Sequence, residues 1–388
     1  MKTKLLILSI VLTTCFTTLF AQDCEREWDY EQVQIGELAF NLDATTLTAE
    51  VAYQKRAGLT IVKIPASVTY NGRPYRVIGI GCSAFDYCEQ LTSVTIPNSV
   101  TYISNFAFKN DTNLTYINIP DGVISIGTWT FLNCSKLECL SIPNSVDSIG
   151  VEAFLGCENI ASPIYNTKIF AYLPPSYSGG YTIPNGISLI NASAFKYCEN
   201  LTKIVIPASV TRIGEGAFSG CSKLLTVHMS IGLKSIGDVA FSTCESLKSL
   251  EIPNGVTDIG IGTFGGCHEL EYVSIPNSVT SIGERAFWFC DKLTSVKIPY
   301  GVKEIADETF YKCYSLTSVT VPHSVTSIGS DAFDYCSSLN YLMIPNSVTS
   351  ISKYNQGPFS DCPALTIQLP ERFKGEINVK NCYSVTYY

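Results

Sequence analysis

The sequence predicts a repeat solenoid: a right-handed stack of about twelve coils, each built from short parallel strands and tight turn or 3-10 segments. Three observations carry that prediction. The dipeptide Ile-Pro recurs at Pro97, Pro120, Pro143, Pro184, Pro207, Pro253, Pro276, Pro299 and Pro345, with Val321-Pro322 in the same phase and Met229-Ser230 standing in once. A phenylalanine ladder runs from Phe85 through Phe108, Phe131 and Phe154, then from Phe195 every 23 residues to Phe333, with Phe359 closing it. Cysteine follows three residues after each phenylalanine, except where Asp111 takes its place. A period of 23 residues, broken in the cysteine ladder by a step of 41 between Cys157 and Cys198 and one of 26 between Cys336 and Cys362, marks a repeat architecture and outranks any reading element by element.

Taken in chain order, the first element is a leader. Lys2 and Lys4 precede an apolar run from Leu5 to Phe20, and Ala21 supplies a small residue before Gln22, so residues 1–21 read as a secretory signal peptide. The run falls short of the ~20 apolar residues of a membrane span. Lipidation at Cys15 or Cys24 would want a small residue where Thr14 and Asp23 stand. Residues 22–60 lack the repeat; a hairpin turning near Asp43-Ala44 is expected to form a polar N-terminal cap. The stretch VTYNGRPYRVIGI makes an atypical first repeat, and the solenoid is expected over 61–370.

The unit beginning at Cys267 shows how each coil is built. Leu270, Val273 and Ile275 have the spacing of a short strand, and Pro276, having no N–H, ends its pairing. Asn277-Ser278 is turn chemistry, Val279 and Ile282 give a second extended piece, and Gly283 allows a bend. Ala286-Phe287 then reads as a tight helical or 3-10 turn whose ring plugs the interior. One unit cannot bury its apolar groups alone; stacked on copies of itself it can. The insertion at 158–183 is rich in Tyr, Pro and Gly and is expected to project as a β-hairpin carrying Tyr177 and Tyr181. Residues 371–388 are expected to close the stack as a C-terminal cap strand.

Composition narrows the function. Only 15% of the 388 residues are charged, and 34 acidic against 26 basic residues give a net charge of −8, or −10 once Lys2 and Lys4 leave with the leader. Such a chain has no long-range field to draw it onto nucleic acid or anionic lipid. Sixteen cysteines are too few for a disulfide scaffold. Eleven form one column, near the ~4.8 Å coil spacing with parallel Cβ vectors, which suits buried thiols better than disulfides and offers no metal cluster. Cys24, Cys82, Cys139 and Cys382 lie off that column, and their pairing is left open. Gly260-Ile-Gly262-Thr-Phe-Gly265 matches a phosphate loop by letter only, because Gly260 and Phe264 belong to the repeat. His228, His268 and His323 fall in different columns, and Glu251 and Glu271 do not face each other. No catalytic, cofactor or metal site follows.

The exposed strand positions say more. The position two after the strand leucine carries Tyr116, Tyr272 and Tyr341 among Ser, Thr and Lys, and its neighbour carries Thr95, Asn118, His228, Lys297 and Met343. Threonine and tyrosine suit exposed strands for their β-propensity alone; the same mixture also makes an adaptable surface for protein or glycan. Tyr87, Tyr197, Phe289 and Tyr335, each just before its cysteine, join Trp288 in an aromatic stripe at the turn edge, the stronger source of binding energy.

The recurring Leu-x-x-Val-x-Ile-Pro…Ile-Gly-x-x-Ala-Phe-x-x-Cys unit resembles the BspA-like leucine-rich repeat family over residues 61–370. The resemblance implies a non-enzymatic, exported bacterial protein, secreted or held at the cell surface, that adheres to host extracellular matrix or plasma proteins such as fibronectin or fibrinogen. The alternative is a self-associating scaffold of the periplasm or envelope.

Overall fold

A computed structural model describes residues 31–54, 58–354, 357–377, 379 and 381–388. The leader at 1–21 and Cys24 lie outside these residues. The fold is a β-solenoid of about thirteen turns with a period of about 23 residues. Among the described residues the one helical piece is the 3-10 turn Glu371–Phe373. The chain divides after Cys157 into two compact units. That is where the 41-residue step begins.

In the first unit, strands Glu31–Ile35, Leu38–Asp43 and Thr48–Val51 form an antiparallel meander. Its last strand then runs parallel to Arg73–Ile80, and Tyr102–Ile103, Ser125–Ile126 and Ser148–Ile149 extend the same sheet. The expected turn at Asp43 forms because the Asp43 carboxylate accepts bonds from the Thr45 and Thr46 N–H groups and hydroxyls. Strand Ser67–Tyr70 pairs back on Arg73–Ile80. Asn71 and Gly72 both have positive φ, 49° and 76°, as a two-residue type I′ hairpin requires. A second column holds Ile61–Lys63, Ser93–Thr95 and Tyr116–Ile117, with Cys139 bridged to Tyr116.

The second unit repeats this plan. Short strands such as Arg212–Ile213, Ser235–Ile236 and Asp258–Ile259 form one parallel column. Longer strands form another, from Ser249–Glu251 through Tyr272–Ser274, Ser295–Lys297, Ser318–Thr320, Tyr341–Met343 and Thr366–Leu369 to Ser384–Tyr387.

The ladder phenylalanines are buried and stack ring on ring, with centroids 5.2–5.6 Å apart in the first unit and 4.7–5.9 Å apart in the second. The segment around each ring departs from the expected helical turn. A residue two before the phenylalanine and one before the cysteine both take the left-handed conformation, as Arg285 and Phe289 do at φ 56° and 57°. Two such reversals in five residues cannot propagate a helix. They aim each backbone N–H along the stack instead, Phe287 N–H reaching Thr309 O at 2.9 Å and Phe289 N–H reaching Tyr311 O at 2.9 Å. Every coil therefore satisfies the interior backbone groups of its neighbour.

The insertion also departs from expectation. Ile164–Tyr165 and Ile169–Tyr172 do form an antiparallel hairpin, but Ile169–Tyr172 is buried throughout and pairs in parallel with Leu189–Ile190. Gly179–Thr182 pairs in parallel with Leu201–Ile206. The insertion thus makes an irregular coil and does not project. Leu173 N–H donates to Ala194 O, the bond a ladder phenylalanine makes elsewhere. The ring space there is filled by Phe170, stacked on Phe195 at 4.7 Å.

Candidate functional site

The cysteine column is structural in its geometry. Its members are buried and none is disulfide-bonded. From coil to coil the thiol donates to the carbonyl of a phenylalanine in the preceding coil, as Cys267 Sγ does to Phe241 O at 3.2 Å and Cys313 Sγ to Phe287 O at 3.2 Å, while Cys198 Sγ, which follows the irregular coil, donates to Leu173 O at 3.4 Å. Burial pushes the Cys267 thiol up to about 12, so it stays a protonated donor. Of the off-column cysteines, Cys82 is disulfide-bonded, Cys139 is an exposed thiol and Cys382 a half-buried one. Gly260 to Gly265 lies in the arc between Asp258–Ile259 and Cys267, with Phe264 in the ring stack and no helix following. Among the described residues, no three His, Cys, Asp or Glu side chains group closely enough to hold a metal ion.

The surface tyrosines sit where strand alternation puts them. Tyr116, in the first unit, is 49% exposed and in register with Ser93 and Cys139. In the second unit Tyr272 and Tyr341 are 50% and 47% exposed and share a column with Ser249, Ser295 and Ser318. Three strand steps separate these two tyrosines, roughly 14 Å. The Tyr341 hydroxyl donates to Gln368 Oε1 at 2.9 Å, which fixes its ring.

The turn-edge stripe is a denser arrangement. Trp288 packs edge-on against Phe289 at 4.1 Å, Phe289 meets Tyr311 at 6.0 Å, and Tyr311 meets Tyr335 at 5.7 Å. The Lys312 ammonium lies 4.5, 5.1 and 5.5 Å from the ring centres of Phe289, Tyr311 and Tyr335. Sequence reasoning missed Tyr311 and Lys312. Lys312 precedes Cys313, so it stands in the same column as Phe289 and Tyr335, but it is not aromatic and carries no mark of the stripe in the sequence. Burial, then the nearby Asp334 carboxylate, pushes the Tyr311 phenol up to about 12. Burial, then Asp331, pushes the Asp334 carboxyl up to about 7. Arg285 closes the flank with two bonds to Glu308, at 2.6 and 3.1 Å.

Tyr177 and Tyr181 do not join this surface. Tyr181 is half-buried, packing edge-on against Phe170 and Phe195, and Tyr177 packs on Tyr181 at 5.4 Å while its hydroxyl donates to Gly180 O. Their rings seal the irregular coil, because the hairpin that was expected to display them lies in the stack.

Among solved structures, a leucine-rich repeat protein from Bacteroides ovatus is 29% identical, with 93% of this chain and 100% of that one covered at a TM-score of 0.53. One from Eubacterium ventriosum is 24% identical, with 81% and 96% covered at a TM-score of 0.57. A leucine rich cell surface protein from Faecalibacterium prausnitzii is 29% identical, with 92% and 94% covered at a TM-score of 0.49. Comparison with curated proteins found no match. The model of the BspA type leucine rich repeat region matches residues 49–172, 180–291 and 259–384. With most of the sequence matched and the coils stacked as that repeat requires, the chain belongs to the BspA-type leucine-rich repeat family.

Proposed function

We propose that this is an exported, non-enzymatic binding protein that adheres to extracellular proteins through the turn-edge stripe of its second unit, with Tyr272 and Tyr341 as further contacts. One observation carries the reading. The position before the cysteine is left-handed in every coil, and Gly156, Gly220 and Gly266 occupy it at φ 75–78°. Phe289 and Tyr335 take the same conformation at 57° and 58°, where a side chain costs roughly 1–2 kcal/mol. The stack accepts glycine there, so an aromatic ring held at the surface at that cost points to use outside the fold. Trp288, Phe289, Tyr311 and Tyr335 are residue types that dominate binding energy, presented on a backbone locked on both sides.

The test is binding of the full chain to immobilised fibronectin and fibrinogen by surface plasmon resonance. Saturable binding to either supports the reading, and none above an albumin surface refutes it. A self-associating scaffold is the second reading, favoured by strand Ser384–Tyr387, which among the described residues pairs on one side only. Light scattering that finds a monomer at high concentration would eliminate it.

A further inference from the structure

The first unit carries an aromatic patch of its own, at a different repeat position from the one that builds the stripe of the second. Two residues before the ladder phenylalanine the backbone is left-handed, and in the second unit Gly216 and Gly262 fill that position. In the first unit Phe106 and Trp129 fill it on successive coils, at φ 61° and 55°. The stack accepts glycine there, so neither ring is needed to close a coil, and both stand in a conformation that disfavours a side chain. The two rings meet edge-on with centroids 5.3 Å apart, each half-buried. Glu152 Oε2 accepts the Trp129 Nε1–H at 2.9 Å, which fixes the indole.

Lys109 completes the patch. Its ammonium lies 5.3 Å from the ring centre of Phe106 and 5.7 Å from that of Trp129, and among the described residues it has no hydrogen-bond or ion-pair partner. Lys136, also in the first unit, shows the contrast: its Nζ donates to Asn113 Oδ1 at 2.6 Å. Half-buried Lys109 has given up part of its water to the rings and gained no anion in return. Leu132, also half-buried, holds the same repeat position one coil on, so an aliphatic side chain follows the ammonium along the stack. This chemistry selects a partner. Two rings and a leucine take aromatic or aliphatic side chains, while an ammonium without a counter-ion takes a carboxylate and repels a basic segment. One cation is too few for nucleic acid, whose binding draws on many lysines and arginines. We propose that Phe106, Trp129 and Lys109 form a docking site for an acidic polypeptide segment, whose carboxylate pairs with Lys109 while a neighbouring apolar side chain packs on the two rings. The site is separate from the turn-edge stripe of the second unit and does not depend on it.

The test uses the full chain carrying Phe289→Gly and Tyr335→Gly, so that the stripe of the second unit does not contribute. A phage-displayed library of random dodecapeptides is selected on it, and the retained peptides are synthesised with a fluorescein label and titrated by fluorescence anisotropy. Among them should be peptides with Asp or Glu next to aromatic or aliphatic residues. Adding Trp129→Gly or Lys109→Gln should weaken these on the order of tenfold or more. Should Trp129→Gly fail to fold, Lys109→Gln, which leaves the core intact, decides alone. Rising salt should weaken binding to the chain with Lys109 more than to the Lys109→Gln variant. The proposal is overturned if no peptide is retained, if Lys109→Gln weakens none of them, or if those it weakens carry no carboxylate side chain.

Discussion

Asp111 shows what the cysteine column does for the fold. It stands where every other ladder coil has a thiol, fully buried, with Oδ1 accepting the Cys88 N–H at 2.8 Å and Oδ2 buried without a partner. Burial, reinforced by Asp86, pushes its carboxyl up to about 9 from 3.8, so the fold holds a neutral acid where its neighbours hold a neutral thiol. Between these two values the folded state keeps a proton that the unfolded chain has lost. Stability is therefore full below about pH 4 and falls as pH rises toward 9, by at most about 1.4 kcal/mol per pH unit. Asp111→Asn keeps the acceptor and removes the titration. Thermal unfolding should show it matching the parent near pH 4 and clearly more stable at pH 8; equal stability at both would contradict this account.

Val239 makes a complementary point about backbone strain. It is β-branched yet has φ 47°, in a column where Gly216 and Gly262 serve at φ 56° and 57°. Val239→Asn, which tolerates that conformation, should raise stability by about 0.5–1 kcal/mol in a urea titration. A loss would mean that the valine's packing outweighs its strain.

At the scale of the element, the unit is the stacked ring with its thiol. Phe218 is fully buried between Phe195 at 4.7 Å and Phe241 at 4.9 Å. Phe218→Ala should cost about 3–5 kcal/mol, since the hydrogen-bonded coils on either side cannot collapse into the cavity. The thiols should resist modification for the same reason. In the native protein iodoacetamide followed by mass spectrometry should label exposed Cys139 first and the buried column only on unfolding, so early labelling at Cys267 would contradict the packing described.

Much of this was legible in the sequence because every coil repeats the same inward residues. Leu270, Val273, Val279, Ile282 and Phe287 announce a coil by position alone, and all are buried. The arc around Phe287 was not legible, since two left-handed residues in five leave no compositional mark when Arg285 and Phe289 occupy them. The insertion was misread because its Tyr, Pro and Gly content is that of a loop, whereas Phe170 and Leu173 together replace one ladder phenylalanine from another phase. The hairpin at Asn71-Gly72 does carry a sequence signal, the Asn-Gly pair of a two-residue turn, within the segment that reads as an atypical repeat. Tyr116, Tyr272 and Tyr341 were placed correctly on exposed strand positions because alternation alone fixes them. The contact of Asn41 and Tyr102 with Glu50 left no mark in the sequence, since the three come from segments with no shared period and meet only through strand register.

At the scale of the whole molecule, each unit is a quasi-one-dimensional array whose stability is a sum of coils and coil-to-coil contacts. Such an array has no single closed pocket to protect, so its surface columns vary while its core stays fixed. Ion pairs also link neighbouring coils, as Lys292 does with Glu269 and Arg285 with Glu308. No helix among the described residues is long and apolar enough to cross a membrane. Phe289 and Tyr335, strained aromatics at the surface of the second unit, are proposed to serve a ligand and not the fold. The decisive comparison sets the parent against the Phe289→Gly/Tyr335→Gly variant on immobilised fibronectin and fibrinogen. The variant, folded as the parent is, should lose on the order of tenfold or more in affinity for whichever protein the parent binds. Undiminished binding by the folded variant would contradict it.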